Sequence, residues 1–278
     1  MSSSSPNDRL GGVKGTSGDG EKIAISACVI TFNEEAHIEE CLRSLDWCDE
    51  LIVVDSHSTD RTRELAEELG ARVIERDWPG FGPQKEFAVA EAKHDWVLCL
   101  DADERATPEL RTEIESARAA GFPGVVGYRI PRLSNYLGRW IRHGTWYPSR
   151  QLRLYHRAHG SWGGNAPHEK VTVDGPTKNL NGDLLHYTYR SFTDHQQKID
   201  SYTTTMAEGL FERGKRASAL DLVTHPLWRF FSFYILRRGF LEGWQGFLLA
   251  YLTAHYVRMK YAKLLILQRG QKLRDDPR

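Results

Sequence analysis

The chain has 278 residues, 40% of them hydrophobic, and Lys+Arg and Asp+Glu both total 37. That is enough apolar material for a buried core, in one large domain or two small ones; the zero net charge argues nothing about partners, and no nucleic acid is expected among them. The charge is unevenly spread: residues 23–103 hold 19 acids against 7 bases and residues 226–278 hold 10 bases against 3 acids, so the two ends should face different partners.

Residues 1–22 are rich in Ser and Gly with almost nothing apolar, which predicts a disordered tail and no signal peptide. Ile23 to Thr31 is a short apolar run with β-branched residues, a buried strand by composition. Asn33-Glu34-Glu35 then opens a stretch in which Ile38, Cys41, Leu42 and Leu45 recur at helical spacing. A second strand, Leu51 to Val54, ends at Asp55. Ser56, Ser58, Thr59 and Asp60 follow as turn and cap residues before a helix from Arg61 to Leu69, stopped by Gly70. Ala71 to Ile74 is a third strand, Gln84 to Ala92 a helix, and Trp96 to Leu100 a fourth strand ending at Asp101. Strand and helix in alternation predict parallel βαβ units, whose ligand crevice lies beyond the carboxyl ends of the strands. Thr31, Asn33, Asp55, Asp101 and Asp103 all fall there, which argues for a nucleotide site.

After about Pro131 the texture turns irregular, with Trp140, Trp146, Tyr147, Tyr155 and Trp162 among many Gly and His. From His195 to about Gln268 it is helical again. Of the four cysteines, Cys28, Cys41, Cys48 and Cys99, no two have CxxC spacing, so no zinc or redox motif is indicated, and a reducing compartment is expected.

Asp101 and Asp103, one residue apart just past a buried strand, are hard oxygen donors suited to Mg2+ or Mn2+, which in turn binds diphosphate oxygens. Such a cation stabilises the charge that develops on a departing diphosphate. Alone, an acidic pair of this kind more often caps a helix or faces solvent. Asp55 serves either as a carboxylate at a helix N-terminus or as an acceptor for the base or ribose of a nucleotide. Arg150 and Arg153 fit phosphate as planar forks, or pair with the acidic first half. His186 could be a second-sphere or a core residue.

Val29-Ile30-Thr31-Phe32-Asn33-Glu34-Glu35, Ile52-Val53-Val54-Asp55-Ser56 and Leu100-Asp101-Ala102-Asp103-Glu104, in this order, resemble the inverting glycosyltransferases with a GT-A fold. The resemblance implies an α/β fold with a mostly parallel, Rossmann-like sheet and flanking helices, plus a C-terminal helical extension. It implies that Thr31, Asn33, Glu34 and Asp55 hold the nucleoside of a UDP-sugar. Asp101 then contacts the sugar nucleotide, Asp103 binds the divalent metal, and Lys85 stands where a basic residue meets the nucleotide; a solvated helix lysine explains Lys85 equally well. Glu169, in Asn165-Ala166-Pro167-His168-Glu169, is the implied base, against a surface glutamate in a salt bridge. His168 is open between metal ligand, substrate contact and structural histidine, and is carried forward as a metal ligand. Trp146-Tyr147-Pro148, Gln151 to Tyr155, Trp162, His168-Glu169 and His186-Tyr187 resemble the subgroup that adds glucose to the heptose of the lipopolysaccharide inner core. The implied division is a tail (1–22), a nucleotide-sugar half (23–130), an acceptor and catalytic half (131–194), a helical extension (195–268) and a basic tail (269–278).

The segment from Pro226 is apolar and aromatic, but the uncharged run between Glu242 and Arg258 has only 15 positions against the roughly 20 a spanning helix needs. Arg237, Arg238, Arg258, Lys260 and Lys263 interleave with Trp and Tyr, as in a helix lying on anionic lipid. Helices that cover the core or form a dimer fit the same pattern. The expectation is an enzyme peripheral to the cytoplasmic face of the inner membrane, acting on a glycan or lipid-linked acceptor. Two other readings are a metal-dependent nucleotidyltransferase and an inactive membrane-surface module. The first lacks the glycine-rich loop that it needs at Thr31-Phe32-Asn33-Glu34, and the second leaves the full set of acids unexplained.

Overall fold

The computed structural model describes residues 22–163, 170–189 and 191–273. In chain order the elements are β1 (Ile25–Thr31), α1 (Ile38–Arg43), β2 (Glu50–Asp55), α2 (Thr62–Glu68), β3 (Arg72–Glu75), α3 (Phe81–Ala90), β4 (Trp96–Asp101), β5 (Glu104–Ala106) and α4 (Pro108–Ala119). There follow β6 (Gly127–Tyr136), β7 (Arg139–Ile141), β8 (Ser149–His156), β9 (Gly160–Gly163), β10 (Lys170–Val173), β11 (Thr177–Asn179) and β12 (Leu184–Tyr187). Three long helices close the chain: α5 (Phe192–Glu212), α6 (Asp221–Phe231) and α7 (Gly243–Gln268).

The main sheet runs in the order β3-β2-β1-β4-β8-β6-β12-β5, with β7 and β11 also on β6. Its first four strands are parallel and joined by α1, α2 and α3, the expected crossover pattern. Beyond β4 the sheet turns mixed: β8 is antiparallel to β4 and β6, and β12 is parallel to β6. β1 is buried along its whole length because apolar layers cover both faces. Ile25, Ala27, Val29, Leu98 and Leu100 pack with α1 and α4 on one face, and Cys28, Ile30, Val97 and Cys99 with α3 on the other. All four cysteines are free thiols.

Asn33-Glu34-Glu35 does not begin the helix as expected; α1 starts at Ile38. Asn33 is held in the left-handed region (φ 52°) by bonds to the β2–α2 loop, donating from its backbone to Ser58 Oγ (2.8 Å) and accepting from Thr59 N–H at Oδ1 (2.8 Å). These tertiary bonds outweigh local helical periodicity. α3 likewise starts earlier than expected, at Phe81, where Gly80 (φ 114°) turns the chain into it.

The C-terminal helices pack on the far end of β6 through Tyr136, Ile141, Ile199, Phe233 and Leu249. α5 and α7 are joined by the buried Lys263 ammonium, which donates to Asp200 Oδ1 (2.7 Å), Thr203 Oγ1 (3.0 Å) and Thr204 Oγ1 (2.6 Å). Between α6 and α7 the chain makes a π turn (Ser232–Leu236) and a 3-10 turn (Gly239–Glu242). This tip is tied to the loop after β7 by Glu242, which accepts from Arg139 Nε (2.8 Å), Arg142 N–H (2.9 Å), His143 N–H (2.8 Å) and His143 Nδ1 (2.6 Å). Burial by itself would raise the Glu242 carboxyl, but the donors from Arg139 and His143 and the two backbone N–H groups hold it below its usual value. Gly144, at φ 87°, lets Phe233 lie where a Cβ would stand.

Glu242→Ala leaves these donors unmatched and is expected to lower stability by about 2–3 kcal/mol, measured as a shift of the urea midpoint. An unchanged midpoint would show that the tip is not held by this carboxylate.

Candidate active site

The carboxyl ends of β1 and β4, with β6, β8 and β12 opposite, surround a cavity of about 1130 Å³. Thr31, Glu34, Lys85, Asp101 and Asp103 all line it. The parallel register places Thr31 beside Asp55 and Ile30 beside Asp101, so the strand ends lie level with one another.

Asp101 is clamped. Lys85 Nζ, reaching from α3, lies 2.6 Å from its Oδ1, and Arg153 on β8 donates to its Oδ2 at 2.8 Å. The same Arg153 nitrogen donates to Glu104 Oε1 at 2.8 Å, and Glu104 Oε2 accepts from the Asp101 backbone N–H at 3.0 Å. Burial alone would raise the Asp101 carboxyl, but Lys85 and Arg153 hold it far below the carboxylate range. Burial would lower the Arg153 guanidinium, yet Glu104 and Asp101 raise it further. Trp162 on β9 covers Lys85, whose Nζ is 5.0 Å from the ring centroid. Of the two roles open to Lys85, the structure rules out the solvated one, since the side chain is buried.

Asp103 differs from Asp101. Its side chain is 24% exposed, and its Oδ2 lies 3.4 Å from His186 Nε2 on β12. Its Oδ1 is buried without a hydrogen-bond partner among the described residues. His186 Nδ1 rests against Ser134 Oγ (3.2 Å) and Thr188 Oγ1 (3.0 Å), two hydroxyls that fix the ring. Among the described residues no group of three or more His, Cys, Asp and Glu gathers as a metal site. An unpartnered carboxylate oxygen beside an oriented imidazole nevertheless fits Mg2+ or Mn2+, which take one or two protein ligands and complete their shell with phosphate and water. Asp103 and His186 are the residues that would hold it.

Asp55 and Asn33 do not reach this cavity. Asp55 is fully buried, and its oxygens accept from Ser58 N–H (2.7 Å) and Ser58 Oγ (2.5 Å). Here it organises the β2–α2 loop, close to the helix-start reading of its carboxylate. Asn33 lines a separate small recess with His37 and Thr59. Arg153 lines the cavity and makes the pairing with acids. Arg150 donates to the Leu180 carbonyl and faces the cavity. His168 and Glu169 lie outside the described residues. Glu104, Arg129 and Arg132 were not singled out in the sequence. Glu104 stands next to the acid pair, but Arg129 and Arg132 lie in an irregular segment whose pairing with β8 no local pattern reveals.

A half-parallel sheet with an acid pair at its carboxyl edge, facing a mixed half with a basic wall, is the architecture of a GT-A glycosyltransferase. The sequence matches the profile described as Glycosyl transferase family 2 over residues 26–172. An uncharacterized glycosyltransferase of Rickettsia bellii is 34% identical over 258 residues, 88% of this chain and 87% of its own. The lipopolysaccharide core biosynthesis glycosyltransferase LpsC of Rhizobium meliloti is 31% identical over 255 residues, 87% of this chain and 94% of its own. Among solved structures, the mannosyltransferase PcManGT of Pyrobaculum calidifontis, in complex with GDP-Man and Mn2+, has the same fold. It superposes with a TM-score of 0.51 at 16% identity, over 87% of this chain and 86% of its own. The chain belongs to glycosyltransferase family 2 and is a transferase enzyme.

Asp101→Asn strands the buried Lys85 and half the charge of Arg153, so a loss of about 3 kcal/mol is expected at neutral pH in urea unfolding. A depressed carboxyl contributes stability that is present above its unfolded value of about 3.9 and is lost as the pH falls below it. The gap between variant and parent should therefore narrow in acid. A gap that stayed constant well below that pH would contradict the pairing.

Proposed function

We propose that this enzyme moves a hexose, glucose by the resemblance of its second half, from a UDP-sugar to a hydroxyl of a glycan or lipid-linked acceptor, with inversion. The lipopolysaccharide core heptose is the acceptor class most in keeping with the relative LpsC. The observation that carries this reading is Asp103, with an unpartnered buried oxygen at the edge of the cavity and His186 beside it. A divalent cation bound there would stabilise the negative charge of the departing diphosphate.

This chain's residues supply the rest. Thr31 Oγ1, a buried hydroxyl with no partner among the described residues, and Glu34 border the nucleotide end of the cavity. Lys85 and Arg153 hold Asp101 ionised, so that it accepts hydrogen bonds from the sugar nucleotide without first losing a proton. Asn33 and Asp55 shape the loop around the nucleoside from behind. Glu169, immediately before the cavity-lining Lys170, takes the proton of the acceptor hydroxyl as its oxygen bonds to the anomeric carbon and the bond from that carbon to the diphosphate breaks. His168 is a second candidate metal ligand.

Asp103→Ala is expected to keep the fold, because among the described residues the Asp103 side chain has a single long contact, to His186, and to lose Mn2+-dependent UDP binding by calorimetry together with transfer from radiolabelled UDP-sugars. Full transfer activity in that variant would sink the assignment. Glu169→Gln should retain UDP binding while kcat falls by about a hundredfold or more.

We further place the enzyme on the cytoplasmic face of the inner membrane, held there peripherally by the α6–α7 tip. No helix among the described residues is long and apolar enough to cross a membrane. Along α6, α7 and the turns between them, Leu227 (64% exposed), Trp228 (60%), Leu236 (56%) and Trp244 (61%) stand out of the fold with Phe240 and Leu241. Arg237 and Arg238 lie exposed in the turn between them. Each large apolar side chain that leaves water contributes about 1.5–3 kcal/mol, and each base near an anionic surface about 1 kcal/mol. The protein should sediment with phosphatidylglycerol vesicles more than with phosphatidylcholine ones. The triple variant Leu236→Ser, Phe240→Ser, Trp244→Ser should stay in the supernatant. A triple variant that pelleted like the parent, or a parent dimer that the triple variant dissociated, would count against the membrane reading.

A further inference from the structure

We propose that the cavity holds a second anion site, distinct from the place of the donor diphosphate, in which Arg129 and Arg150 grip a phosphate group carried by the acceptor. This rests on the glycosyl-transfer reading and names a property of the acceptor that the reading leaves open.

Of the cations lining the cavity, Lys85 and Arg153 are matched by Asp101 and Glu104, Arg132 lies 3.5 Å from Glu104 Oε1, and Lys198 lies 3.1 Å from Asp194 Oδ2. Arg129, Arg150 and Lys170 also line it, and none of the three has a carboxylate partner among the described residues. The bond from Arg150 to the Leu180 carbonyl orients its guanidinium without neutralising it. A neutral sugar hydroxyl gives three cations no reason to converge. An anion does.

Geometry makes two of them a pair. In the β6–β8 ladder Arg129 stands opposite Leu152 and Arg150 opposite Pro131, two residues along on each strand. Side chains at that spacing share a face, and diagonal neighbours lie about 7–8 Å apart, a span that one phosphate between two guanidinium forks can bridge. The donor diphosphate has its place elsewhere. Asp103 lies against His186, which stands opposite Ser134 on β6, and Arg129 is five residues back along that strand, roughly 16 Å away. The Arg129–Arg150 pair therefore lies on the acceptor side. Lys170, beside the proposed base Glu169, extends the same positive wall.

The test uses the full chain saturated with UDP and Mn2+. Glucose 6-phosphate, a plain sugar phosphate, is titrated calorimetrically, with glucose as the uncharged control. The expected result is that the phosphate ester binds more tightly than glucose and that Arg129→Gln/Arg150→Gln weakens it by about tenfold or more, with UDP affinity retained. Arg129→Lys/Arg150→Lys should keep part of the affinity through charge alone. Three outcomes overturn the proposal: no preference for the ester in the parent, unchanged ester binding in the glutamine pair, or an equal fall in UDP affinity. The last would assign the arginines to the donor. A parent that bound no UDP with Mn2+ at the outset would strike the glycosyl-transfer reading itself, which separates the two failures.

Discussion

Arg153 is the residue on which the site depends. β4 delivers Asp101 to the carboxyl edge of the sheet and β5 brings Glu104 back beside it, so two carboxylates share one buried corner. Such a pair cannot remain ionised unaided. β8, antiparallel to β4, places a guanidinium between them, with one nitrogen 2.8 Å from an oxygen of each acid. Lys85 completes the neutralisation from α3. The order of strands β4 and β8 in the sheet is thereby also an electrostatic requirement, for without β8 as neighbour Asp101 at the end of β4 would lose a cation that holds its charge inside the protein.

That arrangement separates two aspartates which look alike in sequence. Asp101 is held as a fixed anion by Lys85 and Arg153, whereas Asp103 Oδ1 has no partner among the described residues. One is built into the protein's own network, and the other is left open to something the protein does not supply. The cost of substituting each differs accordingly: the first disturbs folding, the second binding.

The nucleotide half was legible because its signals are local. Apolar runs, the intervening helical spacing and polar residues at each strand end placed β1, β2 and β4 within a residue or two and picked out Thr31, Asp101 and Asp103; the family resemblance added Glu34 and Lys85, and the cavity gathers all five. Asp55 and Asn33 were in that list for the same reason, yet each spends its hydrogen bonds on the β2–α2 loop. Strand-end position fixes where a residue lies but does not say whether its atoms point inward or outward. The second half was opaque for a different reason. β6, β8 and β12 are paired across gaps of tens of residues, so that Arg129, Arg150 and His186 come together through sheet register, to which no window of sequence is sensitive. The aromatic run of α6 and α7 was visible as composition, but only the packing of Phe233 and Leu249 inward, with Trp228 and Trp244 left outward, separates a core face from a free one.

Glu242 has a mechanical consequence. Four donors from residues 139–143 converge on its carboxylate, and Gly144 admits Phe233 at close quarters beside them, so the α6–α7 turn cannot swing relative to β6 without breaking several contacts together. β6 is also the strand that carries Arg129 and Arg132 along the cavity wall. The apolar tip and the cavity are thus fixed points on one rigid piece. Any surface that receives the tip sets the height and tilt at which the cavity mouth faces it, and the enzyme would then act as a ruler, selecting acceptors by how far their reacting hydroxyl stands from that surface.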